Sequence, residues 1–127
     1  WVWKKLVVGQ CIRMKSINIF MGNIVYDVSQ YSVETLKVYC HSRKDGKDGC
    51  VYLVINNSWT EATTVELPRE AEVYALTGNG KLRSRTMLLN GRELVLGEND
   101  ELPCLCGETV PAGKIEVAPG GCTFFVL

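Results

Sequence analysis

Apolar and polar residues alternate from Leu36 to His41. Leu36, Val38 and Cys40 fall on one face of an extended chain and Lys37, Tyr39 and His41 on the other, the period of two of a half-buried strand. The stretch from Cys50 to Asn56 is nearly all apolar, as for a more central strand. The charged loop between the two carries the turn signals Asp45-Gly46 and Asp48-Gly49, so the pair reads as a hairpin. The same reasoning predicts further strands over residues 22–28, 63–67, 72–76, 84–89, 93–96, 114–117 and 122–127. Gly78-Asn79-Gly80 and Asn90-Gly91 supply residues that tolerate positive φ in tight turns. Pro68, Pro103, Pro111 and Pro119 sit where a ladder donor is not needed. Residues 1–8 pattern instead as the tail of an amphipathic helix, with Gly9 as a stop and a mixed segment after it. The reading is an all-β chain, an antiparallel β-sandwich of about eight strands preceded by a short irregular or helical amino-terminal segment. Its division is residues 1–21 as the junction and 22–127 as the sandwich.

A chain of 127 residues, 46% of them hydrophobic, buries roughly two-thirds of its unfolded surface, enough for one core without metals or cross-links. Fourteen basic and fourteen acidic residues balance to a net charge of zero, so the overall field steers toward neither nucleic acid nor an anionic membrane. No apolar run approaches the ~20 residues of a spanning helix. The chain begins at Trp1 rather than Met, and the expectation is that the natural product starts further upstream.

Six cysteines contain no C-x-x-C pair, and His41 is the single histidine, so no metal and no cofactor is expected. Cys104-x-Cys106 is a poor candidate for mutual closure, and a domain this apolar needs no disulfide framework. The cysteines read as reduced, partly buried thiols, which points to a cytoplasmic rather than a secreted protein. Cys40 and His41, adjacent on a strand, face opposite ways and form no catalytic dyad; the thiol is expected buried and the imidazole exposed. Gly78-x-Gly80 lacks the helix of a phosphate loop, and Asp45 and Asp48 lack the ligand pattern of a calcium loop. Glu61, Glu66, Glu70 and Glu72 cluster in sequence as solvated carboxylates on and beside strands. Asn56-Asn57-Ser58 is a sequon, of use only in a eukaryotic secretory setting. Trp59 follows directly, at the rim between two strands, where an indole either stacks on a sugar ring or packs on a core or neighbouring domain. Tyr52 and Tyr74 share that ambiguity.

The order of features in the last third carries a resemblance. Residues Arg83 to Leu94 enclose the Asn90-Gly91 turn, Leu102-Pro103 and Val110-Pro111-Ala112-Gly113 follow, and the chain closes on Thr123-Phe124-Phe125-Val126-Leu127. This succession resembles the carboxy-terminal β-sandwich of the heparanase-like glycosidases, glycoside hydrolase family seventy-nine, and among them the bacterial β-glucuronidase-like members. The match is best from Leu36 to Leu127. Where the family passes almost at once from its last barrel helix to a strand like Met21 to Val28, this chain places Val7 to Phe20 between them.

The resemblance implies a non-catalytic accessory domain packed beside an upstream (β/α)₈ barrel, whose two glutamates cleave β-glucuronides or related uronic acid glycosides. No glutamate here matches either catalytic position, so the catalytic set on this chain is empty. The resemblance also implies that a segment from before the barrel completes the sandwich, leaving the isolated chain with an open sheet edge for self-association. Two rivals remain: a stand-alone carbohydrate-binding module using Trp59, Tyr52 and Tyr74, and a structural sandwich with no sugar role.

Overall fold

The computed structural model describes residues 21–127 apart from Leu82 and Leu102. The helical tail and nearly all of the junction expected over residues 1–21 therefore lie outside the described residues. Among the described residues ten strands run in chain order: β1 (Met21–Tyr26), β2 (Leu36–Arg43), β3 (Cys50–Asn56), β4 (Thr63–Leu67), β5 (Ala71–Thr77), β6 (Leu88–Leu89), β7 (Arg92–Glu93), β8 (Glu108–Val110), β9 (Gly113–Val117) and β10 (Cys122–Val126). A 3₁₀ turn, Ser29–Tyr31, lies between β1 and β2. Every pairing is antiparallel. The main sheet has the order β1-β2-β3-β10-β5-β6-β7, with β8 also on β5, and β4 and β9 form a second sheet of two strands. The all-β antiparallel sandwich expected from the sequence is the architecture observed.

The last strand lies in the middle of the main sheet. Phe124 pairs across Leu53 on one side and Tyr74 on the other, and Phe125 pairs across Tyr52 and Val73. Successive side chains of a strand point to opposite faces, so the Phe pair can be wholly buried only if both faces are covered. Both are: Phe124 is 0% exposed and Phe125 1%. Phe125 joins Val54, Val73, Leu67 and Val117, where β4 and β9 close one face. Phe124 joins Met21, Val51, Leu53, Tyr74, Leu89 and Val126 on the other, covered in part by Leu94 and Leu105 from the loops after β7.

Two asparagines close the gaps that strands leave. Asn56 is 0% exposed. Its Nδ2 donates to the carbonyls of Glu61 (2.8 Å) and Val117 (3.1 Å), and its Oδ1 accepts from the Ser58 amide (2.9 Å). On β5, β8 covers residues 71–73 and β6 covers residues 76–77. Asn90 fills the space between: Oδ1 accepts from the Ala75 amide (2.8 Å), Nδ2 donates to the Val73 carbonyl (2.8 Å), and its own amide donates to the Ala75 carbonyl (2.9 Å). Buried backbone groups must find partners, and here a side-chain amide imitates the missing peptide.

The strands predicted over 36–41, 50–56, 63–67, 72–76, 114–117 and 122–127 are found with ends moved by at most two residues. Two others shrink. The expected strand over 84–89 survives as Leu88–Leu89, because Ser84 Oγ accepts from the Thr86 amide (3.0 Å) and the Ser84 amide donates to the Lys81 carbonyl (3.0 Å), local bonds that replace a ladder. The strand over 93–96 ends at Glu93, since Gly97 and Glu101 close their own turn (2.9 Å). The strand Glu108–Val110 was not expected; three residues with two of them polar give no period to read. The turn signals hold: φ is positive at Asn79, Gly80, Asn90 and Gly91.

Replacing the buried amide leaves several backbone groups without partners. Asn56→Ala is expected to lower unfolding stability by about 2–3 kcal/mol, whereas Asn57→Ala, on the exposed neighbour, should change it by less than about 0.5 kcal/mol. Urea denaturation of the two variants checks the pair; equal losses would contradict the role given to Asn56.

Candidate functional site

The three aromatic residues singled out as candidate sugar or domain contacts, Trp59, Tyr52 and Tyr74, are not brought together. Tyr52 pairs with Phe125 and lies against the core that β4 and β9 cover, while Tyr74 pairs with Phe124 on the opposite face. Tyr74 is buried, and its hydroxyl donates to Glu72 Oε1 at 2.7 Å. Burial and the adjacent carboxylate raise its pKa above the usual phenol value. Tyr52 is pushed up to about 12, by burial first and then by the thiols of Cys50 and Cys40.

Trp59 differs from both. It is 56% exposed, on the loop between β3 and β4. Asn56 anchors that loop from below, the Glu61 amide donates to Ser58 Oγ (3.0 Å), and the Gly120 amide donates to the Ser58 carbonyl (2.9 Å). The sequon asparagine is thus a buried structural group whose side-chain nitrogen is already committed, which leaves no acceptor for a glycan in the folded chain.

Cys40 and His41 face opposite sides of β2, as expected: register puts Cys40 with Tyr52 and His41 with Val51. Cys40 is buried, and its pKa is pushed up to about 12 by desolvation and by the neighbouring Cys50 thiol. The imidazole is not the exposed group that alternation suggested. It is half-buried, and Nδ1 donates to the Gly22 carbonyl at 3.0 Å. That bond helps hold a bulge in β1, where the five residues from Met21 to Val25 oppose the three from Arg43 to His41. Ser42 Oγ completes it by accepting from the Ile24 amide (3.2 Å).

The acidic residues Glu61, Glu66 and Glu70 are exposed, and Glu72 is engaged with Tyr74. Among the described residues, no three His, Cys, Asp or Glu side chains converge on a metal-sized position. No described helix is long and apolar enough to cross a membrane.

The feature that alternation missed is an apolar rim. Ile24, Val25 and Tyr26 of β1, Tyr31 and Val33 of the connection to β2, and Tyr39 of β2 are all exposed, between 44% and 66%. They gather at one end of the main sheet, where β1 has β2 as its one neighbour among the described residues. The signal was present as three consecutive large apolar residues, Ile24-Val25-Tyr26, which fill both faces of a strand at once.

No protein-family model and no curated protein matches this chain. Solved structures do show similarity. One titled as an arabinofuranosidase shares 19% identity over 76% of this chain, with a TM-score of 0.47. A thermostable GH51 α-L-arabinofuranosidase from Thermotoga petrophila RKU-1 shares 19% over 73%, with a TM-score of 0.46. An α-L-arabinofuranosidase from Thermotoga maritima in an arabinose complex shares 19% over 76%, with a TM-score of 0.45. The matched part of the chain spans 21%, 19% and 20% of those three chains respectively, about a fifth of their length.

The buried thiol makes the fold sensitive to alkali. The ordinary thiol value is 9.0 and that of Cys40 in the folded chain is about 12, so between these the unfolded chain has lost the proton that the folded chain keeps. Stability therefore falls as pH rises through this window. Urea midpoints at about pH 8 and pH 10.5 should separate in the native chain, and by a smaller interval in Cys40→Ala.

Proposed function

We propose that this chain is the accessory β-sandwich of a retaining glycoside hydrolase, and that its apolar rim packs on the catalytic barrel. The observation that carries the reading is the rim itself: six large apolar side chains exposed on β1, its connection and β2, at the end of the main sheet where β2 is the one neighbour of β1 among the described residues. Burying such a surface is what an inter-domain contact does. The motif order Asn90-Gly91, Leu102-Pro103, Pro111-Ala112-Gly113 and Phe124-Phe125 supports the heparanase-like group as the parent. In that reading the barrel cleaves a β-glucuronide or related uronic acid glycoside, with both catalytic carboxylates outside this chain. The free thiols, Cys40 buried among them, support a cytoplasmic setting.

A stand-alone carbohydrate-binding module is the second reading, and the exposed Trp59 favours it. The burial of Tyr74 and the opposed faces of Tyr52 and Tyr74 work against a shared aromatic platform. Titration with uronate oligosaccharides separates the two: saturable binding lost in Trp59→Ala supports the module, and no binding removes it.

The test of the main reading is the source gene upstream of the Trp1 codon and the activity of its full product. An open frame encoding alternating strands and helices with two strand-end glutamates, and hydrolysis of nitrophenyl β-glucuronide by that product but not by this chain, is expected. Hydrolysis of an α-L-arabinofuranoside instead would replace the uronide specificity, and a start codon directly before Trp1 would overturn the reading. In the full product, Val25→Lys with Tyr39→Lys should lower the melting temperature by several degrees while leaving that of the isolated sandwich nearly unchanged, because both residues are solvent-exposed on this chain alone.

A further inference from the structure

The run from Pro103 to Gly107 alternates regularly between covered and open. Pro103, Leu105 and Gly107 are partly buried, and Cys104 and Cys106 between them are exposed. Leu105 packs onto the core formed by Val51, Leu53, Tyr74 and Phe124. In an extended chain, a residue fixed inward sends both of its neighbours outward on the same side. The Cys104 and Cys106 thiols therefore share one solvent-facing surface, and they interact: the Cys104 pKa is raised chiefly by its neighbour Cys106.

The segment is also clamped at its far end. The Cys106 carbonyl accepts from Asn90 Nδ2 at 3.4 Å. A Cβ at Gly107 would stand 2.6 Å from Glu72 Cγ and 2.7 Å from Tyr74 Cζ, so the chain passes hard against β5 where only glycine fits. Two soft donors are held side by side on a fixed backbone, with no third His, Cys, Asp or Glu converging on them among the described residues. Zinc in a structural site asks for four ligands. A two-thiolate set suits a soft monovalent cation that accepts low coordination.

We propose that Cys104 and Cys106 form a surface dithiol site that binds a soft monovalent cation, Cu(I), between their Sγ atoms. Each thiol gives up its proton to solvent as its sulfur bonds the ion, so two protons leave for each ion bound and no electron is transferred. Binding accordingly strengthens with rising pH. The site stands apart from the apolar rim and does not depend on the glycosidase reading.

Competition with bicinchoninate for Cu(I), under argon with ascorbate present, tests the site on the whole chain. The native protein should withdraw one equivalent from the chelator, and Cys104→Ser and Cys106→Ser should each abolish that withdrawal with an unchanged circular dichroism spectrum. Both side chains are exposed, so neither substitution is expected to disturb the fold. Cys50→Ser should retain the full equivalent. Withdrawal undiminished in the Cys104→Ser/Cys106→Ser double variant, or lost equally in Cys50→Ser, would overturn the assignment, as would a native chain that leaves the chelator complex intact. X-ray absorption of the copper-loaded protein should show two sulfur neighbours; nitrogen or oxygen ligation would equally overturn it.

Discussion

The insertion of β10 between β3 and β5 is the contact on which the fold depends. The two strands that flank it are separated in sequence by the whole of β4 and its loops, and neither meets the other directly. Without β10, the described main sheet would be two unconnected pieces with bare central edges. The Leu127 amide and carbonyl then close on Cys50 at 2.9 and 3.2 Å. The carboxy terminus thereby lies alongside Gly49, whose φ of 117° is open to glycine and strained for other residues. The core therefore rests on the longest-range pairing among the described strands, an entropic demand typical of sandwiches.

Covering both faces of that central strand sets the remaining architecture. Phe124 and Phe125 cannot both be buried by one layer, so one face takes the small β4–β9 sheet and the other takes Leu94 and Leu105 from irregular chain. Irregular chain over a core brings unpaired backbone groups with it, and Asn56 and Asn90 meet that cost by standing in for peptides. Each also positions something at the surface. The hydrogen bonds of Asn56 shape the loop that presents Trp59, and those of Asn90 help fix the segment that presents the two outward thiols. Core packing and surface chemistry are therefore coupled through two side-chain amides, one buried at Asn56 and one half-buried at Asn90.

At the outer strand the same physics produces a different result. β1 carries apolar side chains on both faces, yet nothing among the described residues covers its outer edge. The bulge held by His41 and Ser42 bends the strand away from regular pairing, which discourages indiscriminate edge-to-edge association while leaving the apolar side chains available to a shaped partner.

The central strands were legible in the sequence because alternation and burial agree there. Leu36, Val38 and Cys40 do share a face, and Asn79, Gly80, Asn90 and Gly91 do take the positive φ their types allow. The two-residue strands and β8 were illegible, since their pairing is decided by which stretch of β5 remains free and by local bonds of Ser84, neither of which leaves a period. The candidate aromatic site was legible only in part. Residue type identified Trp59, Tyr52 and Tyr74, but the parity of strand positions across three paired strands placed the two tyrosines on opposite faces. The apolar rim and the paired thiols needed the fold as well, because a run of apolar residues or a Cys-x-Cys spacing says nothing about what lies over it. Local periodicity and turn chemistry follow from neighbouring residues and were set by the sequence alone; exposure, facing and partnership depend on contacts between distant segments, and only the tertiary structure decided them.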